Sequence, residues 1–391
     1  MKYIYIQLLV VLMAGGANTH ADFSSVVGAE AVYDDNIYRL ESREVDSWIT
    51  KIKPAVTLEM GQGTTTYLLE MDAETGMYSQ SKLGDDDYTD YRAKGLIGWQ
   101  FDIRNRFEAS LQHRKGHDER GTARGDVAFD KLITVPDYDE PDEWVANRVG
   151  AKYIFGAPNA RGSLSAGITY GEKNYTNNGS GTDILERDET EARLLGLLKV
   201  MPRTSLLLET RLRDIDYKDD IISGNRDSED MRYFVGVQWE ATAKTTGSVR
   251  VGYQDKTPDF SGHKDFNATT WEMDVVWSPR SYSTLELIAY RGAEDSGDAL
   301  TYVDTHFFAA QWNHNWSTRF STAVFARTET QEYQGFTRDD DISAWGFSAS
   351  YLAREQIKLN GEYKYEDRDS NIAGLDYRRG VVLFGAEIAF E

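Results

Sequence analysis

From Leu83 onward the chain repeats one module of about 20 residues: an alternating apolar and polar segment of 10 to 14, a tight turn, a second alternating segment and a longer polar loop. In the stretch 91–101 the odd positions are Tyr91, Ala93, Gly95, Ile97, Trp99 and Phe101, whereas the even ones are Arg92, Lys94, Leu96, Gly98 and Gln100. One face is apolar and ends in an aromatic pair, and the other carries charge. The same alternation sets Val145, Val149, Tyr153 and Phe155 against Arg148 and Lys152, Trp271, Met273, Val275 and Trp277 against Glu272 and Asp274, and Leu359, Tyr363 and Tyr365 against Lys358, Glu362 and Lys364. A soluble β-sandwich also alternates, but its strands run about 5 to 6 residues, whereas a tilted strand that crosses a bilayer needs about 9 to 11.

The connections alternate between short and long. Gly61-Gln62-Gly63, Arg104-Asn105, Ala157-Pro158-Asn159, Pro202-Arg203, Ser278-Pro279-Arg280 and Arg354-Glu355-Gln356 read as periplasmic turns, and the longer links as extracellular loops. The segments number eighteen, from 23–33 and 45–60 at one end to 357–367 and 376–390 at the other. The pattern therefore predicts an all-β, transmembrane, antiparallel up-and-down barrel of about eighteen strands with both chain ends on the periplasmic side. Sixteen is the alternative count, the first segment and the register of 300–313 being the least sharply patterned.

At the N-terminus Lys2 precedes an apolar run from Tyr3 to Met13, and Thr19-His20-Ala21 follows the small-residue rule of a signal-peptidase site. Residues 1–21 are expected to be a cleaved signal peptide, with Ala17 as the alternative cut, and 22–391 the barrel. The apolar run falls short of the roughly 20 residues that span a bilayer as a helix.

Composition adds to this reading. The chain is 12 % aromatic, with 23 Tyr and 9 Trp, and it has no Cys, hence no disulfide framework. Tyr and Trp gather at the two interfaces of a barrel, and hydropathy barely registers strands of which only every second residue faces lipid. Lys2 is the only charge in the first 21 residues, so its loss takes the net charge from −21 to −22. That balance excludes nucleic acid as a partner. Six unclustered histidines give no metal signature, and the run Asp85 to Asp90 is carboxylate density alone. No cofactor or catalytic motif is found: Gly61-Gln62-Gly63 lacks the third glycine and the helix of a dinucleotide site, and there is no nucleophile elbow.

The last strand presents Val382, Phe384, Ala386, Ile388 and Phe390 on one face, like the terminal strand that the barrel-assembly machinery recognises, although Glu391 follows the final Phe. Just after the first strand, Tyr33-Asp34-Asp35-Asn36-Ile37-Tyr38-Arg39 resembles a stretch typical of the β-barrel porin 2 family, and length and strand rhythm agree over nearly the entire chain. Members of that family are often tied to exopolysaccharide or capsule loci. The resemblance thus implies an outer-membrane channel for polysaccharide cargo, working with a periplasmic polysaccharide-export protein and an inner-membrane co-polymerase. The alternative is a general or substrate-selective diffusion porin for small solutes, and a structural or adhesin-like barrel is a third reading.

Assigning the non-lipid face of each strand to the lumen places Lys51, Lys53, Arg92, Lys94, Arg114, Arg148, Lys152, Arg211, Arg213, Arg232, Arg250, Arg319, Arg327, Lys358 and Lys364 inside. Facing them are Glu59, Glu70, Asp72, Glu74, Asp102, Glu108, Glu209, Glu240, Glu272, Asp274, Glu286, Glu362 and Glu366. These charges are expected to pair across strands and hold the barrel open and hydrated; the alternative is that some arginines and aromatics line a glycan path. The excess acid then falls to loops such as Asp85-Asp86-Asp87 and Asp339-Asp340-Asp341, solvated or bridged by divalent cations to lipopolysaccharide. The longest loop, about 118–143, carries Phe129, Leu132, Ile133 and Tyr138, apolar content that fits either a constriction folded into or over the pore or a packed extracellular cap.

Overall fold

The computed structural model describes residues 20–390 apart from 83, 129, 130, 132–134, 136–138, 159, 220–225, 243, 261, 296–301 and 336. It contains eighteen strands: β1 (His20–Asp34), β2 (Ser47–Gln62), β3 (Thr65–Tyr78), β4 (Tyr88–Gln100), β5 (Asn105–His117), β6 (Glu143–Phe155), β7 (Gly162–Tyr175), β8 (Arg187–Met201), β9 (Thr204–Tyr217), β10 (Ser228–Thr242), β11 (Thr245–Pro258), β12 (Phe266–Arg280), β13 (Ser283–Asp295), β14 (Tyr302–Asn315), β15 (Phe320–Tyr333), β16 (Asp339–Arg354), β17 (Ile357–Ser370) and β18 (Tyr377–Phe390). Each strand pairs antiparallel with its sequence neighbours. β1 also pairs with β18, in register from Ser25↔Phe390 to Asp34↔Val381, and closes the sheet. Closure leaves no open edge, as hydrocarbon demands of a sheet that spans it.

The side-chain period of two then sorts every strand into a lipid face and a lumen face. Leu111, Leu208 and Phe384 are 63, 65 and 61 % exposed, and Ile97, Ile168, Val235, Val251 and Phe347 lie on the same outer surface. Large apolar side chains so exposed would be a liability in water and are what a lipid belt requires. Aromatics mark its two rims: Trp99 and Phe101, with ring centroids 4.0 Å apart, at the turn side, and Tyr33 and Trp48, 5.3 Å apart, at the loop side.

Strands of 13 to 16 residues, at about 3.3 Å per residue and a tilt of about 40°, span about 33–40 Å. The apolar band needs only about 25 Å. The loop-side ends therefore stand clear of hydrocarbon, and there the outer face carries Glu172, Asp188 and Asp216 in one cross-strand row.

The turns differ from the sequence reading in detail. β12 continues through Ser278-Pro279-Arg280 with a register shift between Trp277 and Arg280, and the chain reverses at 281–282. Proline, having no N–H to give the ladder, is tolerated at such an irregularity. Likewise β2 runs through Gly61 to Gln62 and turns on Gly63, whose φ of 61° favours glycine. Asp102 and Arg319 stand in the short turns 101–104 and 316–319 rather than on the lumen wall. The Asp102 carboxylate accepts from the backbone N–H groups of Arg104 and Asn105 at 2.7 and 3.0 Å, closing its turn.

Candidate functional site: the lumen and the loops folded into it

The loop after β1 turns inward, and its own residues explain why. Asp34, 1 % exposed, takes both Nε and Nη2 of Arg379 on β18, at 2.9 and 2.5 Å. Asp35 accepts from the backbone N–H of Gly380 at 2.7 Å. The fully buried Asn36 donates to the carbonyls of Leu40 and Arg378 at 2.8 and 2.9 Å while its Oδ1 accepts from the Leu40 N–H at 3.0 Å. The Asp-Asp-Asn run thus pins the loop to the neighbouring strand and bends the chain back. Ile37, Tyr38, Leu40 and Val45 then bury together, with Tyr78, Val127 and Val135 packed against them.

The next layer is loop 118–142, which lies over this knot. Arg39 donates to Glu119 and, at 2.5 Å, to the Arg120 carbonyl. Arg120 in turn reaches Asp86 at 2.6 Å, where Tyr38 Oη also donates at 2.7 Å. Asp86 is 1 % exposed, so the Asp85-Asp86-Asp87 run is not a uniformly solvated surface. Gly121, at φ 70°, comes so close to the Tyr38 carbonyl that a Cβ there would lie 2.1 Å from its oxygen. Further along, Asp126 accepts from Arg338 at 2.6 Å and forms an ion pair with Arg368 on β17 at 2.7 Å. β5 and β17 are six of eighteen strand steps apart, so Asp126 ties this loop to the wall a third of the way round the barrel from β5. Phe129, Leu132, Ile133 and Tyr138 lie outside the described residues. Asp339-Asp340-Asp341 opens β16 rather than forming a loop, and the buried Asp340 holds Arg338 at 2.5 Å.

The inward strand faces carry most of the charges expected there. Arg92 pairs with Asp72 at 2.6 Å, Lys94 with Glu70 at 3.2 Å, Lys152 with Glu108 at 2.9 Å, and Arg148 with Glu189 at 3.5 Å. Arg213 also reaches Glu189, at 2.8 Å, Arg232 holds Asp230 at 2.8 Å, and Arg114 lies 4.9 Å from the ring of Trp144. Glu209 gathers Arg193, Arg211 and Arg250, each at 2.6 Å, and Arg211 bridges on to Glu272. Arg327 pairs with Glu366 at 2.7 Å. Asp274 and Glu362 face inward without an ion-pair partner among the described residues, and Glu240 lies exposed in the register shift at the end of β10. The sequence reading missed Arg39, Glu119, Asp126, Arg338, Arg368 and Arg379, because all but the strand residues sit in polar loops whose inward course no periodicity reports.

Between these loops and the inner wall of β13 to β17 lies a cavity of about 840 Å³, lined by Arg39, Thr122 and Asp126 from the loops and by Tyr290, Phe307, Arg327, Glu329 and Arg368 from the wall. Its size is that of a small-molecule pocket.

The family model described as "Putative beta-barrel porin 2" matches residues 23–390. The chain belongs to this porin family. None of the curated proteins matches the sequence. Among solved structures, the porin is similar in fold to OpdK of Pseudomonas aeruginosa (TM-score 0.51, 9 % identity, covering 94 % of this chain and 99 % of that one). It is likewise similar to OccAB2 of Acinetobacter baumannii (0.51, 11 %, 95 % and 98 %) and to OccK9 of P. aeruginosa (0.50, 11 %, 94 % and 99 %). At such identities the likeness is one of fold. Family and architecture together make it an outer-membrane β-barrel channel that crosses the Gram-negative outer membrane with its strands.

In the porin's mouth, electrostatics hold the inserted loops in place. Burial opposes ionisation of the Glu119 carboxyl, but the Arg39 guanidinium, with Arg379 beside it, outweighs burial and keeps it well below the usual carboxylate range. The partner Arg39 is pushed up in turn: burial lowers it, and Glu119 with Glu366 more than reverses that. The lumen is thus narrowed by loops that charge pairs tie to the strands and to each other, beside the apolar cluster of Ile37, Tyr38, Leu40 and Val45.

Proposed function

We propose that this porin is a substrate-selective diffusion channel for small solutes. The observation that carries the reading is the pair of loops, 35–46 and 118–142, bound into the mouth by Asp34–Arg379, Arg39–Glu119 and Asp126–Arg368 so that a pocket-sized space borders the wall. A channel that admits only what fits such a space selects, whereas an open sieve of eighteen strands would not. OpdK, one of the barrels similar in fold, has been crystallised with vanillate, so a barrel of this shape accommodates a small solute.

Swelling of liposomes that contain the purified porin tests this. Small charged or aromatic solutes are expected to enter and oligosaccharides to be excluded; equal entry of both overturns the reading.

Polysaccharide export is the second reading, favoured by the resemblance carried by residues 33–39. Threading a glycan requires both loops to leave the lumen, and a docked periplasmic export protein would have to drive that exchange of ion pairs. Deletion of the porin separates the two: polymer retained in the periplasm supports export, and normal secretion rules it out.

A further inference from the structure

The inner wall beneath loop 118–142 is built in rows set by strand register. One row runs Tyr290, Phe307, Glu329, Ile342 across β13 to β16; two residues lower the row is Ile288, Ala309, Arg327, Ala344, and below that Glu286, Gln311, Phe325, Gly346. The wall is therefore apolar and aromatic at its centre with single charges set into it. Tyr290 stacks on Phe307 with centroids 5.1 Å apart and planes at 22°.

Two of the carboxylates that line the cavity stand apart from its ion pairs. The cavity lining holds six carboxylates and three guanidinium groups. Each guanidinium is committed: Arg327 to Glu366 at 2.7 Å, Arg368 to Asp126 at 2.7 Å, and Arg39 to Glu119 and Glu366. Asp295 is held from outside the cavity by Lys256 at 2.8 Å. Glu329 and Glu286 have no ion-pair partner among the described residues, and each accepts a hydrogen bond only from a neutral amide: Gln331 at 2.6 Å and Asn313 at 3.3 Å. Elsewhere on the inner wall most acids are matched. The half-buried Glu329 thus stands beside a stacked aromatic pair in a space of about 840 Å³, with the half-buried Glu286 two rows lower, and neither carboxylate has a cationic partner among the described residues.

We infer that this cavity is a binding subsite for small organic cations, an inference that rests on the small-solute reading above. A cation with an apolar or aromatic body meets these features at once: charge attraction to Glu329, a ring face at Phe307 and Tyr290 in the same row, and apolar contact with Ile342 and, one row lower, Ile288 and Ala309, while Glu286 two rows down adds attraction at longer range. An aromatic carboxylate would meet the unpaired acids head on. A neutral sugar would find ring faces but would leave both carboxylates uncompensated.

Calorimetric titration of the folded full-length barrel in detergent tests the subsite, using benzyltrimethylammonium, benzoate and maltotriose as probes. Benzyltrimethylammonium is expected to bind, and Glu329→Gln to weaken it by about tenfold, with Phe307→Leu weakening it less. Both variants are first checked for the heat-modifiable gel mobility of a folded barrel; Glu286→Gln serves as the second carboxylate variant should either fail that check. No binding of benzyltrimethylammonium, stronger binding of benzoate or maltotriose, or binding indifferent to both glutamates overturns the inference. Planar-bilayer current separates this from the channel reading. Block by benzyltrimethylammonium in wild type and its loss in Glu329→Gln support both, whereas absence of any current overturns the channel while the calorimetry still decides the subsite.

Discussion

Two stretches of the same inner wall handle charge differently. From β8 to β12 the acids at the centre of the wall are gathered by arginines: Glu209 alone takes Arg193, Arg211 and Arg250, and Arg211 and Arg250 both continue to Glu272, with Asp274 standing outside this cluster. From β13 to β16 the wall is an aromatic and aliphatic surface in which Glu286 and Glu329 answer only to amides. Both stretches obey the same alternation and the same register rules. The first spends its charges on holding strands together around a wet lumen; the second leaves charge for whatever passes.

The contrast is sharpest where a saturated acid is removed. Glu209→Gln leaves three guanidinium groups facing a neutral amide, and loss of one partner from a buried charge cluster costs about 3–5 kcal/mol. The urea midpoint for loss of heat-modifiable mobility should fall clearly; an unchanged midpoint would show that the arginine cluster is not structural.

Next in size is the loop anchor. Asp126→Asn weakens a charge-assisted hydrogen bond from Arg338, worth about 1.5–3 kcal/mol, and removes the ion pair with Arg368. The expected outcome is faster protease cleavage within loop 118–142 with little change in the barrel's urea midpoint. Equal cleavage rates would mean that the loop is held by something else.

A pH titration comes third. A folded-state carboxyl held low stabilises the closed arrangement above its unfolded value, about 4.3 for Glu, and that contribution is lost as pH falls toward the folded value. Glu119 is such a group. Loop protection from protease should therefore hold from pH 7 to 5 and decline only below about 4.3. Glu119→Gln should remove that acid step; a wild-type transition near pH 6 would point to a different group.

The smallest expected effect on stability is that of Glu329→Gln, within about 0.5 kcal/mol because no ion pair is broken. Its effect should appear instead in selectivity, as a reversal potential in a salt gradient shifted toward anions. A large loss of stability would place Glu329 with Glu209 and erase the contrast.

Strand number, strand faces and most lumen charges were legible because a period of two is written in the side chains themselves. Arg92, Arg211 and Arg327 followed from parity alone. Parity misleads where strands end, which is why Asp102 and Arg319 were assigned inward although they stand in turns, and why Pro279 was read as a turn although it lies in a bulged strand end. The inserted loops were only partly legible. Ile37, Tyr38, Leu40 and Val45 are more apolar than a solvated loop requires, and that signal was available. The signal was masked by Asp34, Asp35 and Asn36, whose polarity reads as solvent exposure but is satisfied by Arg379, Gly380 and Arg378 from a strand some 340 residues away in sequence. Asp86 and Asp126 illustrate the same difficulty: a carboxylate in an acidic run gives no hint that an arginine far along the chain will bury it.

Single-channel recording of the wild-type porin beside Asp126→Asn tests the central claim most directly. A loop-narrowed selective channel predicts a small, steady wild-type current with cation preference, and a larger, less selective current once Asp126 is neutralised. Identical currents in the two proteins, large and without ion preference, would contradict it.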